Sequence, residues 1–202
     1  PLSRKTLANI MGTIRTFWKY CRCMLFCTTL NPEMLSIPKA AQLKGKTILQ
    51  PEGLVTLFSV DTVVHRGKLV QDPYIYAYRF QVATGLRPGE LLGLCVGDVK
   101  EKTAELHIHR AINSSNNVTA GKNDNAKRTA VLPVQAIDAY RAQISLLKAS
   151  GIKLNYNTPL FPIKSQASYY ARWNRYLKAN DVPHISPYEL RHTFVSIAKI
   201  LP

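Results

Sequence analysis

The sequence has 202 residues, 46% of them hydrophobic, which suffices for one ordinary core and excludes an intrinsically disordered chain. Lysine and arginine outnumber aspartate and glutamate by 27 to 12, and the formal charge of +15 favours a polyanionic partner: DNA, RNA or an anionic membrane. No apolar run reaches the roughly 18 residues of a membrane span, and no signal peptide is recognisable, so we expect a cytoplasmic protein without a membrane segment.

The first predicted element is one long amphipathic helix over residues 2–28, in which apolar residues recur with the helical period. Its basic side chains form either a solvated face or a surface for DNA phosphates, and the pattern leaves both interpretations open. The candidates for phosphate contact in this helix are Arg4, Lys5 and Arg15.

A basic linker is predicted after this helix. Prolines and a glycine interrupt residues 31–50, and the charged side chains that follow Glu33 in this stretch are all lysines. We therefore expect an N-terminal segment (1–38), a linker (39–50) and a main domain (51–202). The linker either lies along a DNA backbone or is a plain tether. Its basic residues are Lys39, Lys44 and Lys46.

Two helices are predicted to meet at a glycine in the middle of the chain. Residues 74–84 have the pattern of a buried helix, and Gly85 is placed to end it in a left-handed cap. Pro88 suits the first position of the next helix, so Arg87 stands at the junction of two packed helices. In one interpretation Arg87 only forms an ordinary ion pair with Glu90; in the other its fixed position serves a function.

The second half of the chain mixes strands and helices. Helical patterns return over residues 137–147 and 165–179, and Asn123–Asn125 reads as a turn between two strands. The three predicted strands are Leu106–His109, Val118–Lys122 and Thr129–Leu132. The expected fold class is α+β, mainly helical, with one small three-stranded antiparallel sheet.

The last predicted helix has the clearest start signal of the chain. Ser186–Glu189 supplies a serine cap, a proline at the first helical position and the glutamate of a capping box. Tyr188, Arg191 and His192 follow at spacings of three and four residues, so they share one face of the helix. This face lies near the helix N-terminus, the end that attracts phosphate.

Three of these segments resemble motifs of the tyrosine recombinases, the family of phage and mobile-element integrases. Leu190–Thr193 is similar to the second arginine motif of the family, with Tyr188 where a histidine usually stands. Ala83–Leu92 resembles the first arginine motif, Thr-Gly-x-Arg-x-x-Glu-Leu. Gly121–Pro133 resembles the hairpin that carries the catalytic lysine. The motifs occur in the order of the family, and the resemblance implies the catalytic fold of that family.

Cleavage of a phosphodiester needs cations on its non-bridging oxygens and a proton for the leaving alkoxide. Arginine suits the first task, because its planar fork donates two parallel hydrogen bonds and keeps its charge. The resemblance assigns this task to Arg87 and Arg191, and it assigns the proton to Lys122, since the pKa of a lysine falls beside other cations. No metal and no other cofactor is implied.

The resemblance also implies supporting roles. Glu90 is expected to orient Arg87. His192 is expected to support the Arg191 helix or the phosphate itself. Tyr188 is expected to hydrogen-bond rather than to act as a base, because tyrosine stays protonated near pH 7. The neighbours expected to contact the DNA backbone are Lys127 and Arg128.

The implied activity is site-specific recombination of double-stranded DNA through a 3′-phosphotyrosyl intermediate, for integration or excision of a mobile element. The implied full-length form is a homotetramer on DNA, and the 2–28 helix is similar to the last helix of a DNA-clamping domain. The attacking tyrosine is expected after Pro202, so we expect a fragment that binds DNA without cutting it. Two alternatives stay open: a non-catalytic DNA-binding module on the same scaffold, and a type IB topoisomerase.

Overall fold

The computed structural model describes residues 2–26, 32–43, 45, 47–119 and 127–199. The chain divides into two compact units, residues 1–46 and 47–202. The division falls within the stretch predicted as a linker. Among the described residues, no helix is both long and apolar enough to cross a membrane.

The first unit is built on helix α1, Arg4–Cys23. Ser3 caps it, because its Oγ accepts a hydrogen bond from the backbone N–H of Thr6 at 3.2 Å. Every residue of α1 is described, and none of them is buried. A short 3₁₀ turn follows at Pro32–Met34, and the Arg15 guanidinium donates to the Leu35 carbonyl beside it at 3.3 Å.

The second unit is mainly helical, as the sequence predicts. Its described helices are α2 (Pro51–Ser59), α3 (Ile75–Thr84), α4 (Pro88–Leu92), α5 (Val134–Ala149), α6 (Gln166–Ala179) and α7 (Pro187–Ala198). Helix α3 lies at the centre of the core, where six of its ten residues are buried. Its Tyr78 ring packs against Trp173 and Tyr169 of α6, with ring centroids 4.9 and 5.4 Å apart.

The described strands include a three-stranded antiparallel sheet, but its membership differs from the prediction. Its order is β3 (Val99–Lys100), β4 (Glu105–Ile108) and β7 (Arg128–Val131). The outer strand β3 replaces the predicted strand that begins at Val118. Instead, β6 (Val118–Thr119) pairs with β5 (Ala111–Ile112) in a separate hairpin. The rest of that predicted strand and the predicted turn at Asn123–Asn125 lie outside the described residues.

Strand β4 ends at Ile108, and the side chain of Arg110, two residues later, is bound to residues that precede the sheet. Its guanidinium donates to the Gly93 carbonyl at 2.7 Å and to the buried carboxylate of Asp98. Gly89 and Gly93 of the α4 segment then let the strand backbone approach closely, since a Cβ at Gly89 would stand 2.6 Å from the Ile112 carbonyl oxygen. The β5–β6 hairpin is thereby packed against α4 rather than added to the sheet.

A further hairpin was absent from the sequence prediction. It pairs β1 (Thr62–His65) with β2 (Lys68–Gln71). Arg66 and Gly67 form the two-residue turn, with φ angles of 51° and 73°. Two left-handed residues ending in glycine are typical of a type I′ hairpin turn, so this pair was the available signal.

Candidate active site

Arg87 lies at the α3–α4 junction, where the sequence places it. Helix α3 ends at Thr84, Gly85 follows with φ 65°, and its N–H donates to the Gln81 carbonyl at 2.9 Å. Arg87 is the cap residue of α4, with half of its side chain exposed. The backbone is therefore fixed while the guanidinium still reaches solvent.

Glu90 binds Arg87 twice. The backbone N–H of Arg87 donates to Glu90 Oε2 at 2.9 Å, and its Nη1 donates to Oε1 at 2.8 Å. The hydrogen bond that Arg87 donates to the Glu90 carboxylate raises the pKa of Arg87 against the opposing effect of burial, and Tyr188 contributes in the same direction as Glu90. Glu90 thus orients Arg87, and Tyr188 lies near enough to Arg87 to interact with it.

A second arginine shares the same carboxylate. Arg128, the first residue of β7, donates from Nη1 to Glu90 Oε1 at 3.0 Å and from Nη2 to Oε2 at 2.9 Å. Burial by itself raises the pKa of Glu90, but the bonds from Arg128 and then Arg87 outweigh it and lower this pKa to about 2. Glu90 is therefore ionised, and it links Arg87 at the start of α4 to Arg128 at the start of β7.

Arg191 approaches the same junction from α7. Its Nη1 donates to the Gly85 carbonyl at 2.6 Å, two residues before Arg87. The close packing depends on the glycine, because a Cβ at Gly85 would stand 2.3 Å from the ring of Phe194. Both arginines are therefore anchored at one place, the α3–α4 junction where it packs against α7.

The start of α7 is fixed by the predicted capping box. The Ser186 backbone N–H donates to Glu189 Oε2 at 2.6 Å. Although burial acts in the opposite direction, bonds from Ser186 and Thr47 lower the pKa of Glu189. The Leu49 N–H donates to Thr193 Oγ1 at 2.9 Å and further fixes α7. The predicted start of this helix is confirmed.

Tyr188 and His192 lie next to each other on α7. Their rings meet edge to face, with centroids 5.6 Å apart and planes at 75°. Tyr188 is 43% exposed, and His192 is half-buried. The structure therefore brings together Arg87, Arg191, Glu90, Tyr188 and His192, and it adds Arg128 to them.

The other predicted contacts are spread over the chain. Lys127 is exposed at the edge of the described part of the second unit. In the first unit the predicted contacts Arg4, Lys5, Arg15 and Lys39 are all exposed. The positions outside the described residues are Lys44, Lys46 and Lys122.

Sequence reasoning missed the place of Arg128, which was expected only as a DNA contact. The pairing of β4 with β7 carries it across to Glu90, and a separation of 38 residues hides that contact from the local pattern. Its one sequence signal is its position inside the Gly121–Pro133 motif, after Lys122.

The site has the chemistry of a phosphate clamp. Two guanidinium groups are held at one junction, one of them oriented by a buried carboxylate, with a phenol and an imidazole beside them. Among the described residues, no three His, Cys, Asp or Glu side chains come together as a set that could hold a metal ion.

The chain is similar to known integrases and recombinases. Residues 68–197 match the model of the phage integrase family. None of the curated proteins matches the sequence. The Tn1549 transposon integrase, in complex with circular intermediate DNA, is 20% identical, with a TM-score of 0.77 over 98% of this chain and 68% of that one.

Two Xer recombinases are less similar to this chain in structure. XerA recombinase is 18% identical, with a TM-score of 0.55 over 98% of this chain and 63% of that one. XerH site-specific recombinase, bound to difH substrate, is 15% identical, with a TM-score of 0.50 over 98% of this chain and 53% of that one. At these identities the structural likeness shows the fold.

The fold and the motifs together define a catalytic domain of the tyrosine-type site-specific recombinases. The chain belongs to the phage integrase family.

Proposed function

We propose that this chain holds a DNA phosphodiester with Arg87 and Arg191 so that it can be cleaved, in a full-length recombinase that integrates or excises a mobile element. The observation that carries the proposal is the bond from Arg191 to the Gly85 carbonyl, which anchors the second arginine two residues from the first. Cations from two separate segments can then grip one phosphate from two sides.

The electrostatics support this use of Arg87. A guanidinium has five N–H donors, and the side chain of Arg87 is still 50% exposed after its bond to Glu90. Glu90 thus fixes the plane of the fork without covering it. Tyr188 and His192 lie beside the arginines and are proposed to hydrogen-bond a phosphate oxygen or the nucleophile.

In the proposed reaction, a tyrosine hydroxyl of the full-length protein loses its proton to solvent and attacks the phosphorus. The 3′-phosphotyrosyl bond forms as the bond to the 5′ oxygen breaks, and Lys122 gives that oxygen its proton. The arginines stabilise the charge on the non-bridging oxygens, and rejoining runs the same steps in reverse. The role of Lys122 rests on the hairpin motif alone, and none of the residues placed at the site is assigned as the nucleophile.

Double-stranded DNA is the proposed substrate. The related Tn1549 integrase and XerH are both described in complex with DNA, and the charge of +15 here suits a polyanion. We propose that the full-length protein works as a homotetramer on DNA in the bacterial cytoplasm, associated with the nucleoid. The basic side chains proposed to contact the backbone are Arg4, Lys5, Arg15, Lys39, Lys44, Lys46, Lys127 and Arg128.

The experiment is a test for a covalent adduct. The full-length protein is incubated with a duplex that is nicked next to the exchange point, so that the cut strand is lost and rejoining is prevented. A protein–DNA band that survives denaturing electrophoresis is expected. If DNA is bound and no such band forms, the chain is a non-catalytic binding module.

A second arm separates recombination from DNA relaxation. Two duplexes that carry the target site should exchange strands in the presence of the full-length protein. If a supercoiled plasmid is relaxed while no exchange between duplexes occurs, the activity is that of a type IB topoisomerase and the proposal fails.

A further inference from the structure

The core of the second unit contains a fully buried glutamine, Gln81 of α3. A buried amide is costly unless its polar atoms are hydrogen-bonded, and here they are. Its Nε2 donates to the Leu86 carbonyl at 3.1 Å and to the Pro187 carbonyl at 3.0 Å. Its Oε1 accepts a hydrogen bond from the Tyr169 hydroxyl at 2.7 Å.

The two carbonyls belong to the two arginine segments. Leu86 directly precedes Arg87. Pro187 is four residues before Arg191, so in an α-helix its carbonyl is the one toward which the Arg191 N–H points. A single amide group therefore contacts the backbone support of both arginines, over a sequence separation of 106 residues.

Tyr169 fixes the direction of this amide. A glutamine side chain presents an oxygen on one side and an NH₂ group on the other, and rotation of the amide exchanges them. Because the Tyr169 hydroxyl donates to Oε1, the NH₂ group must face the two carbonyls. Burial raises the pKa of Tyr169 well above its usual range, so this hydroxyl keeps the proton that it donates.

The position is otherwise one for an apolar residue. Gln81 stands between Phe80 and Val82, and both of these neighbours are buried. A methionine would match the length of the side chain, but it would remove the hydrogen bonds to the Leu86 carbonyl and the Tyr169 hydroxyl. The hydrogen bonds, rather than packing, are what a glutamine supplies here.

We propose that Gln81 is a positioning residue that sets the Arg87 junction and the Arg191 helix at the separation needed to grip one phosphate. Gln81 touches no substrate and acts through the two backbones. The inference rests on the proposed function, because it assigns Gln81 to the same phosphate site.

The test substitutes Gln81→Met in the full-length recombinase, which keeps the length of the side chain and removes the donors. Gln143→Met is the matched control, since Gln143 is equally buried, lies on α5, and its Oε1 has no hydrogen-bond partner among the described residues. Single-turnover cleavage is measured on two duplexes, one with a normal phosphate at the cleaved position and one with an uncharged methylphosphonate. The dissociation constant for duplex DNA is measured alongside.

The rate of cleavage on phosphate divided by the rate on methylphosphonate measures how well the two arginines stabilise the charge of the phosphate. The arginines stabilise the charge of the phosphate, so a displaced clamp lowers the rate on phosphate much more than the rate on methylphosphonate. We expect Gln81→Met to slow cleavage of phosphate by about tenfold or more and to lower the ratio by at least about threefold. Duplex binding should change by less than about twofold, because base and backbone contacts elsewhere remain.

A loss of folded protein would lower both rates alike and leave the ratio unchanged, as expected for Gln143→Met. An unchanged ratio in Gln81→Met therefore overturns the inference while the proposed function stands. If the unsubstituted protein cleaves neither duplex, the proposed function falls and the inference with it.

Tyr169→Phe gives a second measurement, which decides the matter if Gln81→Met does not fold. It removes one hydroxyl and frees the amide to rotate, so the ratio should fall in the same direction by a smaller factor. In a Gln81→Met background, Tyr169→Phe should have no further effect on the ratio. A ratio that Tyr169→Phe leaves unchanged counts against the inference.

Discussion

At Glu90 one buried carboxylate serves two guanidinium groups. Burial alone raises its pKa, but Arg128 and Arg87 lower this pKa from 4.5 to about 2. Because the pKa is depressed in the folded state, the resulting stability is complete above about pH 4.5 and is lost as the pH falls toward 2. A shift of this size corresponds to a contribution on the order of 3 kcal/mol to the free energy of unfolding.

We expect Glu90→Gln to lower the free energy of unfolding at pH 7 by about 3 kcal/mol, since both arginines lose their counter-charge. The gap to the unsubstituted protein should narrow as the pH falls from 4.5 toward 2. Chemical denaturation at a series of pH values measures it, with Glu52→Gln on the exposed start of α2 as the control. If the difference in unfolding free energy between the two proteins is the same at all pH values, the charge of the Glu90 carboxylate does not stabilise the fold.

The proposed role of Lys122 as proton donor can be tested with a substrate whose leaving group needs no proton. If Lys122 gives the proton to the departing 5′ oxygen, Lys122→Ala should block cleavage of normal DNA. It should leave cleavage of a 5′-phosphorothiolate nearly intact, because a sulfur leaving group needs no proton. Lys148→Ala, at the exposed end of α5, is the control, and it should cleave both substrates at similar rates to the unsubstituted protein. A Lys122→Ala variant that the sulfur does not rescue would remove this lysine from the proton-transfer step.

At the scale of elements, Gly85 is the point where three helices meet. Its φ of 65° is a conformation that glycine adopts freely, and its missing side chain leaves room for the Phe194 ring of α7. Gly151 has a similar φ of 75°, but a Cβ added there would meet nothing within 4 Å. The two glycines therefore separate the backbone cost of a substitution from the packing cost.

Gly151→Ala should cost about 1 kcal/mol of unfolding free energy, from the left-handed backbone alone. Gly85→Ala should cost about 1–3 kcal/mol more, because its methyl group also collides with Phe194. Chemical denaturation of both variants gives the difference. Replacing Phe194 by alanine in the Gly85→Ala protein should recover most of the excess. Equal costs at the two glycines would mean that α7 adjusts to the methyl group.

The contrast between predicted and observed elements has a physical cause. Helices α3, α6 and α7 have local caps and a 3.6-residue period, so their positions can be predicted from the sequence. Strand β3 has only two residues, Val99–Lys100, and such a strand shows no alternation. The hairpin of β5 and β6 depends on close approach to Gly89 and on the distant bonds of Arg110, which no local pattern records.

The same division holds within the site. Arg87, Glu90 and Arg191 can be identified from the sequence, because each lies in a short motif next to a helix cap or a capping box. Arg128 and Gln81 reach the site through contacts across 38 and 106 residues. Such contacts are set by the folded core, and a single sequence gives no sign of them.

For the whole molecule, the charge of +15 leads to an expectation about salt. Binding to duplex DNA should weaken steeply as salt rises, by about 0.9 in the log–log slope for each phosphate neutralised. Arg4→Ala and Lys127→Ala should each reduce the slope by about one if these exposed residues touch phosphates. Fluorescence anisotropy over a salt series measures it. A total slope that corresponds to fewer than about two phosphates would mean that the positive charge serves another purpose.

The central claim is that Arg87 and Arg191 act on the phosphate during cleavage and do not merely add affinity. Its most direct test is single-turnover cleavage and duplex affinity measured together for Arg87→Lys and Arg191→Lys in the full-length protein. Arg141→Lys is the control, since Arg141 is an exposed arginine of α5 that pairs with Glu101. A lysine keeps the charge and loses the bidentate fork. The account predicts that each of the two site variants slows cleavage by roughly a hundredfold or more, while the dissociation constant changes by less than about threefold. A loss of affinity that parallels the loss of cleavage would contradict it.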